Sequence, residues 1–113
     1  MAEISPSISI TNKRDLLVAW VDVTESDTFG QYQLDEVVTE ISCHITGTFG
    51  GATVAMQGGN VSSEMLALDQ LNGIAAEATA ADLFSILDRP LFIQPASSGG
   101  SSQSVSVYML VRR

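Results

Sequence analysis

The chain has 113 residues, of which 45% are hydrophobic and only 16% charged, and its 13 acidic residues against five basic ones give a net charge of −8 at pH 7. Its length allows a single domain with one modest core, since domains commonly run to roughly 100–150 residues. The charge excludes nucleic acid as a partner, because phosphate binding needs clustered cations and Lys13, Arg14, Arg89, Arg112 and Arg113 are few and scattered.

Cys43 is the only cysteine, which rules out an intrachain disulfide and a cysteine-rich metal site. Met1-Ala2-Glu3-Ile4 lacks the basic start and apolar core of a signal peptide, and no run approaches the ~18 apolar residues of a membrane span. The expected setting is therefore the cytosol, without a membrane, and the Asn60-Val61-Ser62 sequon is read as chance. With so few charges, Ser, Thr, Asn, Gln and small apolar residues must cover much of the surface. Such a surface suits standing protein contacts as well as a plain β-sandwich.

In chain order, Ile4, Ile8 and Ile10 alternate with serines around Pro6 and suggest an N-terminal arm or edge strand over residues 1–12, ahead of a single domain over 13–113. Leu16 to Val23 is the first strong strand, with either Leu16, Val18 and Trp20 or Leu17, Ala19 and Val21 facing the core. Trp20 reads as a core anchor, with ligand stacking as the alternative. The polar, acidic stretch from Thr24 to Asp35 is a loop whose aromatics, Phe29 and Tyr32, either plug the open end of a sandwich or contact a partner. Asp22, Glu25, Asp27, Asp35 and Glu36 do not keep the ligand rhythm of a calcium loop.

Ile41, Cys43 and Ile45 alternate with Ser42, His44 and Thr46, and Ala52 to Met56 resumes an extended apolar run, so two neighbouring strands are expected to meet at Gly47-Thr48-Phe49-Gly50-Gly51. Gly47, Phe49, Gly50 and Gly51 form the structural corner. Glu64 to Leu71 fits a helix or a short strand, and Asn72-Gly73 is a tight turn. Thr79 and Asp82 at capping-box spacing, followed by Leu83, Phe84, Ile86 and Leu87 and then Pro90, predict one short helix near residues 79–88. Leu91 to Pro95 is a strand, the Ser/Gly run after it a flexible hairpin loop, and Val105 to Val111 the closing strand, with Val105, Val107, Met109 and Val111 on one face. These elements predict a mainly β chain, an antiparallel β-sandwich or jelly-roll-like barrel of about 6–8 strands with that one helix.

Catalytic groups do not assemble in this pattern. His44 is the only histidine, and as a strand neighbour of Cys43 it points to the opposite face, so no Cys-His dyad forms. Asp22, Glu40, Glu64 and Asp69 could pair as carboxylates, but nothing singles out a raised pKa. The corner glycines match neither a phosphate loop nor the dinucleotide fingerprint. A non-enzyme without cofactor or metal is expected.

The run Ile45-Thr46-Gly47-Thr48-Phe49-Gly50-Gly51-Ala52-Thr53-Val54, then Gln57-Gly58-Gly59-Asn60, Leu68-Asp69 with Gly73, Phe92-Ile93-Gln94-Pro95, a Gly-Gly loop and a valine-rich closing strand resembles small virion proteins of tailed bacteriophages over roughly residues 40 to 113. In that pattern a Gly-Ser-Asn-Asp-Gly turn followed by Trp is usual; here Gly59 stands at the Ser position, Val61 at the Asp and Met65 at the Trp, and Gln94 stands where Arg is common. The lost carboxylate and aromatic weaken a sugar- or ion-binding reading of that turn.

The resemblance implies a capsid decoration or cement protein on the outside of the shell, made in the host bacterial cytoplasm and resident in the virion. It implies the major capsid protein as partner and a small homo-oligomer, trimer or dimer. Ile4, Ile8, Ile10, Phe29 and Tyr32 are the candidate partner contacts, with the N-terminal arm able to add to a neighbouring sheet edge. A neck, tail or fibre component, and a carbohydrate-binding β-sandwich module, are the alternatives.

Overall fold

The computed structural model describes residues 2–10, 15–34 and 38–113. The ends of the expected arm at residues 1, 11 and 12, the cations Lys13 and Arg14, and the acidic pair Asp35 and Glu36 lie outside them. In chain order the strands are β1 (Ala2–Ile4), β2 (Ser7–Ile10), β3 (Asp15–Thr24), β4 (Asp27–Phe29), β5 (Tyr32–Gln33), β6 (Glu40–Thr48), β7 (Thr53–Gly59), β8 (Leu66–Ala67), β9 (Glu77–Ala78), β10 (Asp82–Ser85), β11 (Phe92–Ser98) and β12 (Ser104–Arg112). The described residues thus hold twelve strands where about six to eight were expected, and the excess consists of two- to four-residue pieces too short to carry a periodic signal.

One five-stranded antiparallel sheet runs β10-β6-β12-β3-β2, and a second runs β5-β11-β7-β8 with β9 also paired to β7. β1 and β4 make a separate parallel pair. A single apolar cluster takes residues from both large sheets, including Val18, Trp20, Ile41, Ile45, Val107 and Met109 from the first and Val54, Met56 and Ile93 from the second. Period-two alternation builds it: Val105, Val107, Met109 and Val111 all face inward from β12, as do Ile41, Cys43 and Ile45 from β6. For β3, where two registers were open, packing selects Leu16, Val18 and Trp20. Each such side chain removed from water contributes about 1.5–3 kcal/mol before conformational entropy is set against it.

No helix occurs among the described residues, and the helix expected near 79–88 is replaced by β10. β10 pairs antiparallel with β6, placing Phe84 opposite Cys43. Phe84 and Ile86 are buried while Leu83 is 66% and Leu87 43% exposed, which is alternation rather than a helical stripe. The Asp82 carboxylate accepts the amide of its own neighbour Leu83, so the capping-box spacing is not used. One or two helical turns are marginal alone, whereas the β6 edge offers a full hydrogen-bonding ladder.

The corner also differs from expectation. β6 and β7 are not paired neighbours; they belong to different sheets, and residues 49–52 carry the chain from one to the other. The stretch Glu64–Leu71 resolves as β8 followed by bridges from Asp69 to Ala75 and from Gln70 to Ile86.

Candidate functional site

Three loops meet at the end of the molecule that holds the corner. The Ala52 amide donates to the Phe49 carbonyl at 2.9 Å, closing a turn whose two central residues, Gly50 (φ 57°) and Gly51 (φ 87°), both lie in the left-handed region. Such consecutive positive φ values are costly for any residue with a Cβ. At Gly50 a side chain would also run into the Ser101 carbonyl oxygen, while at Gly51 it would meet only Gly100 Cα, 3.9 Å away at ordinary contact distance. The Ser101 amide donates back to the Gly50 carbonyl at 3.0 Å, so the corner and the Gly99–Gly100 loop are fastened together. Phe49 is buried beneath them.

The third loop follows β3. Glu25 accepts the amides of Gln103 at 3.1 Å and Ser102 at 3.3 Å, while the Asp27 carboxylate accepts the Thr24 amide and hydroxyl. Hydrogen bonding from its own backbone amide, joined by those of Gln103 and Ser102, holds the Glu25 carboxyl below its ordinary range. Asp22 stands at positive φ (54°) where β3 bulges against β12, and its amide donates to the buried Ser106 hydroxyl. Glu25 and Asp27 therefore act as acceptors for loop amides. Among the described residues no group of three or more His, Cys, Asp or Glu could hold a metal ion.

The predicted contact residues divide. Ile4 pairs directly with Phe29 across β1 and β4, and the Gly30 amide donates to the Ile4 carbonyl. Phe29 is buried and Ile4 and Tyr32 pack partly buried against the core, with Tyr32 paired to Ile93 at the opposite end of the second sheet from the corner. Trp20 is wholly buried, its indole N–H donating to the Gly30 carbonyl at 2.9 Å, which removes it from any ligand platform. Ile8 is 54% exposed on β2, and Ile10 pairs with Leu16 in the same strand. The arm is thus docked on its own sheet, with β2 at the sheet's edge.

On β6, Cys43 points into the core and His44 away from it, so the strand separates them as its periodicity requires. Burial pushes the Cys43 thiol up to about 12, leaving a packing group and no nucleophile at neutral pH. The His44 ring lies 6.0 Å from that of Tyr108, its neighbour on β12, on the outer face of the five-stranded sheet. That face was not picked out from the sequence. The signal was there in the uncharged outward positions of β6 and β12, but deciding which strands lie side by side needed the fold.

Among the described residues no helix is long and apolar enough to cross a membrane. A scan of protein-family models and a search of curated proteins found no match to this chain.

Proposed function

We propose that this chain is a structural protein of a tailed-bacteriophage virion, a decoration or cement protein that binds the outside of the capsid shell through its major capsid protein. The strand order carries the reading. From β3 onward, β4 apart, the chain passes back and forth between the two large sheets, β3, β6, β10 and β12 lying in one and β5, the consecutive β7, β8 and β9, and β11 in the other. This interleaving supports a jelly-roll reading, an architecture recurrent among viral capsid and lectin domains.

The most specific part of the phage resemblance, Gly47 to Val54, forms the stapled crossing between the sheets, where a rigid scaffold would be most sensitive to substitution. The lectin alternative is weakened by the burial of Trp20 and Phe29, which leaves no aromatic platform at the loop end.

Co-sedimentation with empty mature shells tests the proposal: saturable binding at a fixed ratio to the major capsid protein is the expected result. Binding to isolated tails instead of shells would move the protein to the neck or tail. Binding to neither would overturn the proposal.

A further inference from the structure

The outer face of the β10-β6-β12-β3-β2 sheet has no role in the fold or the corner described above. Its central row, read from direct strand pairings, is Leu83, His44, Tyr108, Ala19 and Ser7, crossing from β10 to β2. The row beside it is Ser85, Ser42, Leu110, Leu17 and Ser9. Directly opposed residues share a face, so both rows stand on the same outer surface. Leu83 is 66% exposed, and an open cleft of about 460 Å³, lined by Leu71, Phe84 and polar residues including Gln70 and Asn72, lies beside it. Neither row carries a carboxylate, a lysine or an arginine, and His44 is their one titratable cation-forming group. Charges lie at the two ends of the face: Asp22 at the β3 bulge beside Ser106, and Arg112 in strand register with Glu40 and Asp15.

We propose that this face is the contact between two copies of the chain, related by a two-fold axis running along β12. Size complementarity points to a second copy. A two-fold over the middle strand lays each row on itself in reverse, so Leu83 meets Ser7 of the other copy, His44 meets Ala19, Ser42 meets Leu17, and Tyr108 and Leu110 each meet themselves. Large side chains fall on small ones at every off-axis position except Ser85 over Ser9. This is the self-complementarity that an isologous interface requires.

Charge gives the second argument. Two molecules of net charge −8 repel at most approaches, and a face whose two central rows hold no acid is where they can meet. Five strands about 4.8 Å apart and a length of about six residues at ~3.3 Å each give a face of roughly 24 by 20 Å. Two such faces cover close to 1,000 Å² in total, about where specific interfaces begin. The dimer is therefore of moderate strength, and packed sheets at about −30° splay at the corners, which leaves the Arg112 row as a wet rim.

Light scattering on the purified full chain, at low to high micromolar concentration and with no shell present, tests this. The expected mass rises to twice that of one chain. Tyr108→Lys, which sets two ammonium groups against each other on the axis, should stay at one chain with unchanged circular dichroism and melting temperature. Leu83→Lys, at an exposed position that cannot cost folding through burial, should weaken association at least tenfold. A wild-type monomer at every concentration, a mass of three chains, or variants that still dimerise would overturn the proposal. Because no shell is used, such a result leaves capsid binding standing, and failure to bind shells leaves the dimer standing.

Discussion

The loop end and the outer sheet face of this molecule solve opposite problems. At the loop end, backbone and carboxylate groups from three segments satisfy one another: Ser101 with Gly50, Glu25 with Ser102 and Gln103, Asp27 with Thr24. The outer face holds its side chains in register mainly through strand pairing, and Leu83, Val21 and His44 remain exposed on or beside it. The difference teaches that polar residues can be the structural part of a protein while some apolar ones stay outside its core. Ser101 and Glu25 are fixed by internal bonds, whereas Leu83 contributes little to the fold that presents it.

That contrast can be broken first at Gly50. Gly50→Val meets both a positive φ and the Ser101 carbonyl, and should lose about 3 kcal/mol or more, read as a collapse of the melting temperature. Gly51→Val has only the backbone term, at about 1–2 kcal/mol, because a Cβ there meets only an ordinary contact. Equal losses at both would mean that the contact with the second loop is unimportant. Comparable to Gly50→Val in size, Ile45→Ala empties a wholly buried site and should cost about 2–5 kcal/mol in denaturant unfolding, while Leu83→Ala on the adjoining strand should stay within about 0.5 kcal/mol.

Two titrations sharpen the comparison further. Cys43 has a raised folded pKa, so the native state holds its proton more tightly than the unfolded chain does; its contribution is complete below the ordinary value near 9 and is lost as pH rises toward about 12. Cys43→Ala should flatten the alkaline limb of a stability–pH curve, and an unchanged limb would show that the thiol does not titrate in it. Glu25 runs the other way. Its folded pKa is depressed, so its stabilisation is present above the ordinary glutamate range and disappears as pH falls through the folded value. Glu25→Gln should therefore be less stable than wild type at neutral pH and converge with it in acid, the smallest effect of the series since the carboxylate is fully exposed.

Much of the β architecture was legible because alternation survives in the long strands. Ile41, Cys43 and Ile45, and the four inward residues of β12, could be assigned from spacing alone. Residues 82–87 could not, since Leu83, Phe84, Ile86 and Leu87 make an apolar patch on a helix and an in–out alternation on a strand. The acceptor role of Glu25 was equally hidden, because its partners lie 77 and 78 residues away in the chain.

By itself the sequence determined that one small, acidic, strand-rich chain would bury its alternating aliphatic residues and bend at Gly50 and Gly51, because side-chain period and the steric cost of positive φ are local properties. Tertiary structure alone decided that β6 and β7 part into different sheets, that β10 is a strand, and that Leu83, His44, Tyr108 and Ala19 form one row. Those outcomes depend on which edge each segment finds for its backbone hydrogen bonds, and that choice is made between residues distant in sequence.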